Sequence, residues 1–168
     1  LACCLLILLW VQDELSFDRF HTNADNLYRV EQDQNYSGKL YHVNVTPWPC
    51  IPSWNEEIPE VIAATRYGWC GGRPYSYAGK SYIENEVNAV DPSFFTIFDF
   101  PLIIGDPTTV LTDPYSVVIN QEIAHKYFGE DNPLGKVLTV DDTYQLTVTG
   151  VLKPGRRNSI IQPEILVS

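Results

Sequence analysis

Gly135 and Lys136 are the part of the sequence that comes nearest to a catalytic motif, the end of a phosphate-binding loop. Such a loop needs a glycine five positions before Gly135, where Glu130 stands. It also needs a hydroxyl residue after the lysine to hold magnesium, and Val137 occupies that position. We therefore predict a turn between a helix and a strand here, and no binding or hydrolysis of ATP.

Histidine and cysteine residues provide the other candidates for chemistry. His21, His42 and His125 have no neighbour at the spacing of a metal site. Cys70 and His125 lack any local signature of a nucleophile and its base. An oxidising compartment would allow a disulfide between Cys50 and Cys70, but two free thiols are equally compatible with the sequence. We expect no catalytic, cofactor-binding or metal-binding residue in this chain.

The charge of the chain excludes one class of partner. Its 168 residues carry a formal net charge of −10, and the sequence pI is near 4.6. A nucleic-acid-binding surface needs clustered Lys and Arg instead. The only basic cluster consists of Lys153, Arg156 and Arg157 beside Gly155, and we interpret it as a solvated turn. Nucleic acid is therefore not an expected partner.

The first eleven residues, Leu1–Val11, form an apolar block that stops at a charged segment, Gln12–His21. A helix of this length is about 16 Å long, whereas the hydrocarbon core of a bilayer is about 30 Å thick. We interpret the block as the outer half of a transmembrane helix cut by the boundary of the sequence. A buried core helix is the alternative, because so short a run is ambiguous by length. The residues predicted to lie in the membrane are Leu5, Leu6, Ile7, Leu8, Leu9 and, at the interface, Trp10.

The remaining sequence predicts an α+β domain with mixed or antiparallel sheets and short helices. Single strands are expected at Val61–Trp69 and Val117–Ile119, and a short helix at Ile51–Glu57. Alternation of apolar and polar residues on both sides of turn residues predicts three hairpins. These are Tyr28–Asp33 with Tyr41–Thr46, Tyr75–Ala78 with Tyr82–Val90, and Val137–Val140 with Tyr144–Val151, whose Tyr144, Leu146 and Val148 should face inward.

Two further helices are predicted from their capping residues. Asp91 should cap the first, and Pro92 should occupy its first helical position, where the missing N–H has no consequence. Asn120 should cap the second, which should end at Gly129. The predicted apolar face of this second helix consists of Ile123, Ala124, Tyr127 and Phe128.

Four phenylalanines follow Pro92 closely and must be covered by other apolar groups. We expect some of them to pack against Tyr127, Phe128 and the sheet, so that the two helices move as one rigid body. The four are Phe94, Phe95, Phe98 and Phe100.

Several strings of residues resemble a known family in their order along the chain. The chain resembles the MacB-like periplasmic core domain of FtsX/MacB-type ABC transporter permeases over nearly its whole length. One departure is Lys153–Glu164, where only Asn158-Ser159 remains of the family's proline-asparagine-serine turn. The matching strings are VQDELSFDRFHTNADNLYRV (Val11–Val30), VDPSFFTIFDFPLIIGD (Val90–Asp106), LTDPYSVVINQEIAHKYFGEDNPLGKVLTV (Leu111–Val140) and VTGVL (Val148–Leu152).

The resemblance implies a location and a set of partners. Residues 12–168 would form a periplasmic core domain, incomplete at its C-terminus, of a permease in the bacterial inner membrane. The family works as a dimer of permease copies with a cytoplasmic ABC ATPase, and a periplasmic adaptor or substrate protein is a further expected partner. No cofactor is implied.

The function implied by the resemblance is non-catalytic. The domain would transmit ATP-driven motion for efflux, export or periplasmic mechanotransmission, and ATP hydrolysis would occur in a domain outside this chain. The alternative from a different class is a membrane-anchored extracytoplasmic sensor or ligand-binding module. An enzyme is a third alternative.

Overall fold

The computed structural model describes residues 1–168 and shows a mixed α+β structure, which confirms the predicted fold class. A single 3₁₀ turn, Ala24–Asn26, follows the first helix. The helices are α1 (Ala2–Leu15), α2 (Cys50–Glu57), α3 (Phe94–Ile97) and α4 (Gln121–Phe128). The strands are β1 (Gln32–Tyr36), β2 (Lys39–Val43), β3 (Tyr67–Trp69), β4 (Arg73–Tyr77), β5 (Lys80–Glu84), β6 (Val87–Val90), β7 (Leu102–Ile104), β8 (Ser116–Asn120), β9 (Val137–Val140), β10 (Tyr144–Leu152) and β11 (Ile165–Val167).

Strands β3 to β11 form one mixed sheet in the order β3-β6-β11-β8-β10-β9-β4-β5, with β7 paired to β10 outside this path. Two neighbouring pairs are parallel, β8 with β10 and β6 with β11, and the others are antiparallel. The long strand β10 pairs with β9 through its first residues and with β7 through its last two. Strands β1 and β2 form a separate hairpin.

The sheet buries apolar side chains on both faces, because successive residues of a strand point to opposite sides. In the central strand β8, Val117 and Ile119 face a core that also contains α4, which we call the α4 core. Val118, between them, faces a second core around Phe94 and Phe100, which we call the phenylalanine core. The sheet therefore lies between the two cores.

The phenylalanines and α4 lie on opposite faces of this sheet, so the prediction that they pack against each other is wrong. Phe94 has no exposed surface and lies parallel to Phe100, with 5.8 Å between the ring centroids. Tyr127 and Phe128 belong to the α4 core instead. Both groups do pack on the sheet, as expected, but on its two opposite faces.

Helix α4 confirms its sequence prediction in full. The Asn120 side-chain oxygen accepts a hydrogen bond of 2.8 Å from the Ile123 N–H, as an N-cap does. The helix ends at Gly129, whose φ of +64° lies in the left-handed region that favours glycine. All four residues of the predicted apolar face are buried: Ile123, Ala124, Tyr127 and Phe128.

The near-match to a phosphate loop lies in the predicted turn between α4 and β9. Lys136 directly precedes β9, and its Nζ lies 2.8 Å from the Asp131 carboxylate. The same ammonium group lies 5.3 Å from the centre of the Phe128 ring. The lysine thus fastens the turn to the end of α4, as expected for a structural residue.

Helix α1 confirms the helical prediction for the apolar block and continues to Leu15. None of its residues is buried, and the apolar side chains of the Leu5–Trp10 segment are exposed. The chain contains no helix with both the length and the apolarity needed to cross a membrane. The assignment of Leu5–Trp10 to a membrane stays a prediction.

One predicted strand, Tyr82–Val90, is divided in two by the structure. Strand β5 ends at Glu84 and pairs with β4, whereas β6 begins at Val87 and pairs with β3 and β11. The division coincides with a close approach of two backbones: a Cβ atom on Gly71 would lie 1.8 Å from the Asn85 carbonyl oxygen. Only glycine permits this approach.

The predicted cap of α3 is wrong, because Asp91 has another partner. Its carboxylate accepts hydrogen bonds from the Arg66 backbone N–H at 2.7 Å and from Arg66 Nε at 2.9 Å. Burial acts to raise the pKa of Asp91, but the hydrogen bonds from Arg66 outweigh it and lower the pKa below its ordinary value. The bonds from Arg66 to Asp91, and the bond from Ser93 Oγ to the Ala64 carbonyl, both involve residues of the predicted strand Val61–Trp69. Only Tyr67–Trp69 of that predicted strand is paired.

The first and third predicted hairpins are both present. In the first, the strands lie a few residues from their predicted bounds and join through Ser37 and Gly38, both with positive φ. In the third, Asp141 and Asp142 form the turn as predicted. Leu146 and Val148 are buried as expected, but Tyr144 is 49% exposed, so its inward orientation is wrong.

Candidate functional site: the joint after the N-terminal helix

Three distant parts of the chain meet directly after α1. They are Ser16–Thr22, Asp99 and Asn158–Ile160, and we call this group of residues the joint. Hydrogen bonds within it connect positions 77 to 142 residues apart in the sequence. The joint therefore attaches the N-terminal helix to two separate loops of the sheet domain.

The end of α1 at Ser16 is hydrogen-bonded both within the helix and to the loop that contains Asn158. Ser16 donates to the Asp13 carbonyl from its N–H at 3.0 Å and from its Oγ at 2.6 Å. The Ser16 carbonyl accepts a hydrogen bond of 3.1 Å from Asn158 Nδ2. The Asn158 side chain thus bonds the last turn of α1 directly.

Asp18 fastens the next part of the chain to the same loop. Its backbone N–H donates to the Asn158 carbonyl at 2.9 Å. Its carboxylate accepts from Ser159 Oγ at 2.7 Å and from the Ile160 N–H at 3.2 Å. Asp18 adopts a φ of +55°, in the left-handed region that aspartate tolerates better than most residues. Backbone and side chain of this one residue therefore both bind the loop.

His21 fastens the joint to the second loop. It is only 4% exposed, and its Nδ1 accepts a hydrogen bond of 3.0 Å from the Asp99 backbone N–H. The Asp99 carboxylate in turn accepts one of 2.5 Å from the Thr22 N–H. Because Nδ1 accepts, the geometry assigns the ring proton to Nε2 in the neutral imidazole. The segment at His21 and Thr22 therefore both accepts a hydrogen bond from Asp99 and donates one to it.

The electrostatics around His21 favour its neutral form. Burial lowers the pKa of His21, the carboxylates of Asp18 and Asp99 act against this, and the guanidinium of Arg156 adds to it. A protonated ring would have no lone pair at Nδ1 to accept the Asp99 N–H. The neutral ring is the form that maintains the joint.

Aromatic rings connect the joint to the phenylalanine core. The rings of Phe20 and Phe100 meet edge to face with 5.7 Å between their centroids. The His21 ring lies 5.3 Å from the rings of both Phe98 and Phe100. Phe100 is itself stacked on Phe94 in that core. Displacement of the segment after α1 would therefore press directly on a buried core.

The other sequence candidates for chemistry lie apart from one another. His42 is exposed and contacts Asp33, and His125 lies 3.4 Å from Glu130. Cys50 and Cys70 are both free and partly buried. Burial raises the pKa of the Cys70 thiol, which disfavours the reactive thiolate. No group of three or more His, Cys, Asp and Glu residues has the arrangement of a metal site.

The sequence pointed to only part of the joint. Asn158-Ser159 stood out as the remainder of a family turn, and these two residues prove to be the partners of Ser16 and Asp18. His21, which the sequence showed without a neighbour at metal-site spacing, is a buried residue whose Nδ1 is hydrogen-bonded. Asp18 lies in the charged segment Gln12–His21 that follows the apolar block. Its role could not be found from local sequence, because its partners lie 141 and 142 positions away.

A family model described as the MacB-like periplasmic core domain matches residues 1–168. The chain therefore belongs to this family. Its members form the periplasmic part of ABC transporter permeases, a part that has no catalytic role of its own and lies outside the cytoplasm. No curated protein gives a significant match to the chain.

Solved structures are similar to this chain over most of its length. A domain described as part of a permease protein from Porphyromonas gingivalis is 27% identical, with a TM-score of 0.63 over 77% of this chain and 55% of that one. The extracellular domain of the ABC-type transporter YknZ from Gram-positive bacteria is 19% identical, with a TM-score of 0.55 over 71% and 60%. The periplasmic region of MacB from Actinobacillus actinomycetemcomitans is 17% identical, with a TM-score of 0.53 over 68% and 54%.

These three similarities support different conclusions. The similarities to YknZ and MacB establish a shared fold. The chain spans about 55% of the length of the P. gingivalis domain. The activity and partners of the whole transporter are therefore matters for proposal.

Proposed function

We propose that this domain transmits movement between α1, embedded in the bacterial inner membrane, and the periplasm, within a permease driven by a cytoplasmic ABC ATPase. Two permease copies form the working unit. The transmitted movement serves export of a substrate or relays force to a periplasmic adaptor or substrate protein. The domain itself performs no chemistry and requires no cofactor.

The joint is the observation that carries this proposal. A flexible linker after α1 would absorb any movement of the helix, since exposed polar linkers behave as random coils. Here Ser16 and Asp18 bind one loop of the domain, and His21 and Thr22 bind another. His21 and Ser159 are the buried residues of the joint, and no buried polar side chain of the chain lacks a hydrogen-bond partner. This double attachment supports the proposal that movement of α1 is passed on to the sheet.

The alternative, a ligand-binding sensor, would require a concave site of about 300–1,000 Å³. One hollow of about 560 Å³ lies alongside the exposed helix α1, between Leu8 and Arg19, where it is open to its surroundings. A second, of about 260 Å³, lies beside Phe95, Asp99 and Pro107. Neither combines enclosure with the size of a small-molecule site, so the transmission of movement is better supported.

The location is tested by labelling of the full-length permease in intact cells. Lys39 is exposed at the turn of the β1–β2 hairpin, and Lys39→Cys supplies a single target once the native cysteines of the permease, including the four of this chain, are replaced by serine. A maleimide that does not cross the inner membrane should modify Cys at this position before lysis. Labelling only after lysis would contradict the periplasmic placement.

The movement itself is tested with a spin label on the sheet domain, at Gln121→Cys, which is exposed on α4, in the same cysteine-free permease. In the permease reconstituted with its ATPase, the distance between the two labels of a dimer should change when ATP is added. An ATPase-deficient Glu→Gln variant of the partner separates nucleotide binding from hydrolysis. A distance that responds to a periplasmic ligand but never to ATP would favour the sensor.

A further inference from the structure

Three basic side chains lie within five residues of one another in a strongly acidic chain. They are Lys153, Arg156 and Arg157, and all three are exposed. The chain has 21 acidic residues against 11 basic ones, yet none of these three forms an ion pair. Most other Lys and Arg side chains do pair with carboxylates: Arg19, Arg29, Arg66, Arg73, Lys126 and Lys136.

This basic loop, Lys153–Arg157, lies beside the end of α1. The residue that follows it, Asn158, accepts a hydrogen bond from the Asp18 N–H at 2.9 Å. The Arg156 guanidinium lies 4.7 Å from the centre of the Phe20 ring. The loop is therefore held at the level of the first residues after the helix.

The helix geometry relates that level to the bilayer. Ser16 follows Trp10 by six residues, which is about 9 Å along a helix axis. The headgroup layer on each side of a bilayer is about 5–8 Å deep, from the difference between the full thickness and the hydrocarbon core. With Trp10 at the inner border of this layer, the basic loop stands at its outer border. The long side chains of Lys and Arg can bridge the remaining distance.

No carboxylate lies within ion-pair distance of the basic loop. The Asp18 carboxylate is occupied by Ser159 and Ile160. Asp13 and Glu14, on the last turn of α1, are exposed and form no ion pair with the loop. A positive site thus remains available on the side of the domain that faces α1.

We propose that the loop Lys153–Arg157 binds the anionic headgroups of the bilayer in which α1 is embedded. This inference rests on the proposed membrane placement of α1. Anionic lipid attracts basic residues close to the surface, and three cations on one short loop would fix the height and tilt of the domain. The turn that the sequence alone presented as merely solvated is then a second point of attachment to the membrane.

Partitioning of the chain into vesicles tests the inference. The chain of residues 1–168 is mixed with vesicles of phosphatidylcholine, or of equal parts phosphatidylcholine and phosphatidylglycerol, and the bound fraction is measured by flotation. Binding should be stronger on the anionic vesicles, by about fivefold for each cation at the surface. Arg157→Gln should remove about fivefold of that difference, and neutralisation of all three cations should remove most of it. High salt should do the same.

Lys39 provides a matched control, because it is also exposed and forms no ion pair but lies on the β1–β2 hairpin. Lys39→Gln should leave the difference between vesicle types unchanged. A second readout uses trypsin: anionic vesicles should slow cleavage after Arg157 relative to cleavage after Lys39 in the same molecules. An unchanged thermal midpoint of each variant confirms that it is folded.

The outcomes separate this inference from the proposed function. Equal binding of the chain to both vesicle types, unaffected by Arg157→Gln, would overturn the role of the loop and leave α1 in the membrane. Absence of binding to either vesicle type would overturn the placement of α1 and this inference with it. Equal loss of binding on Lys39→Gln would show a general charge effect and would also overturn the role of the loop.

Discussion

Replacement of Asp18 by alanine removes the carboxylate that holds the segment after α1 to the loop at Ser159 and Ile160. The two hydrogen bonds involved are 2.7 Å and 3.2 Å long, and a hydrogen bond to a charged group typically contributes about 1.5–3 kcal/mol. Ser159 is only 4% exposed, so its hydroxyl would lose its partner in a place that water reaches poorly. Because Asp18 itself is partly exposed, we expect a total loss of about 2–3 kcal/mol.

Two other substitutions at Asp18 separate the hydrogen bonds from the backbone conformation. The φ of +55° disfavours alanine but not glycine, by about 1 kcal/mol. Asp18→Gly should therefore cost about 1 kcal/mol less than Asp18→Ala. Asp18→Asn retains both the tolerance for this φ and an oxygen that can accept from Ser159, so it should be the mildest of the three.

Thermal unfolding of the chain provides the assay. For a domain of this size 1 kcal/mol corresponds to about 2–4 °C, so Asp18→Ala should lower the midpoint by about 5–10 °C. A double-mutant cycle with Ser159→Ala should show a coupling free energy between the two residues of at least about 0.5 kcal/mol. Equal midpoints for the alanine and asparagine variants, together with no coupling to Ser159, would refute the role assigned to this carboxylate.

Three further predictions concern the cores and the titratable groups. Phe94→Ala should cost about 3–5 kcal/mol because the ring is wholly buried, and the partly buried Phe95 should cost less; the reverse order of unfolding midpoints would be evidence against the packing described. Burial and neighbouring glutamates raise the pKa of Glu164 above 4.5, so its carboxylate destabilises the fold at neutral pH. Glu164→Gln should therefore raise the unfolding midpoint at pH 7, and this advantage should disappear below pH 4.5. A variant that is less stable than the native chain at pH 7 would contradict this. Burial lowers the pKa of His21 from 6.5, so the stability that its neutral form contributes is lost as pH falls from 6.5 through the folded pKa. His21→Asn keeps an acceptor for the Asp99 N–H and should flatten this dependence of the unfolding midpoint on pH. An unchanged pH profile in this variant would exclude His21 as the source of the dependence.

The parts of the fold that sequence predicted correctly are those with local causes. Helix α4 has its cap at Asn120, its apolar face and its terminal Gly129 within ten consecutive residues, and all three features are present. The turn at Asp141 and Asp142 likewise depends on the conformational tolerance of neighbouring residues. In both places propensity, pattern and tertiary packing agree.

Where the sequence misled, a distant partner decided the outcome. Asp91 is a good capping residue, but Arg66, 25 positions earlier, provides two kinds of hydrogen bond to its carboxylate. The phenylalanine cluster was correctly recognised as apolar, but its face of the sheet depends on strand order, which no local pattern contains. The joint is the extreme case, since Asp18 finds Ser159 across 141 positions.

The central claim is that the joint couples α1 to the sheet domain. It is tested most directly in the full-length permease with its ATPase, by the ATP-dependent change in distance between spin labels at position 121, on α4 of the sheet domain, in the two copies. The variants to compare are Asp18→Gly and Asp18→Asn, with ATP hydrolysis measured in parallel. We predict that Asp18→Gly hydrolyses ATP as before but loses at least half of the distance change, whereas Asp18→Asn keeps most of it. A full distance change in a folded Asp18→Gly variant would contradict the account.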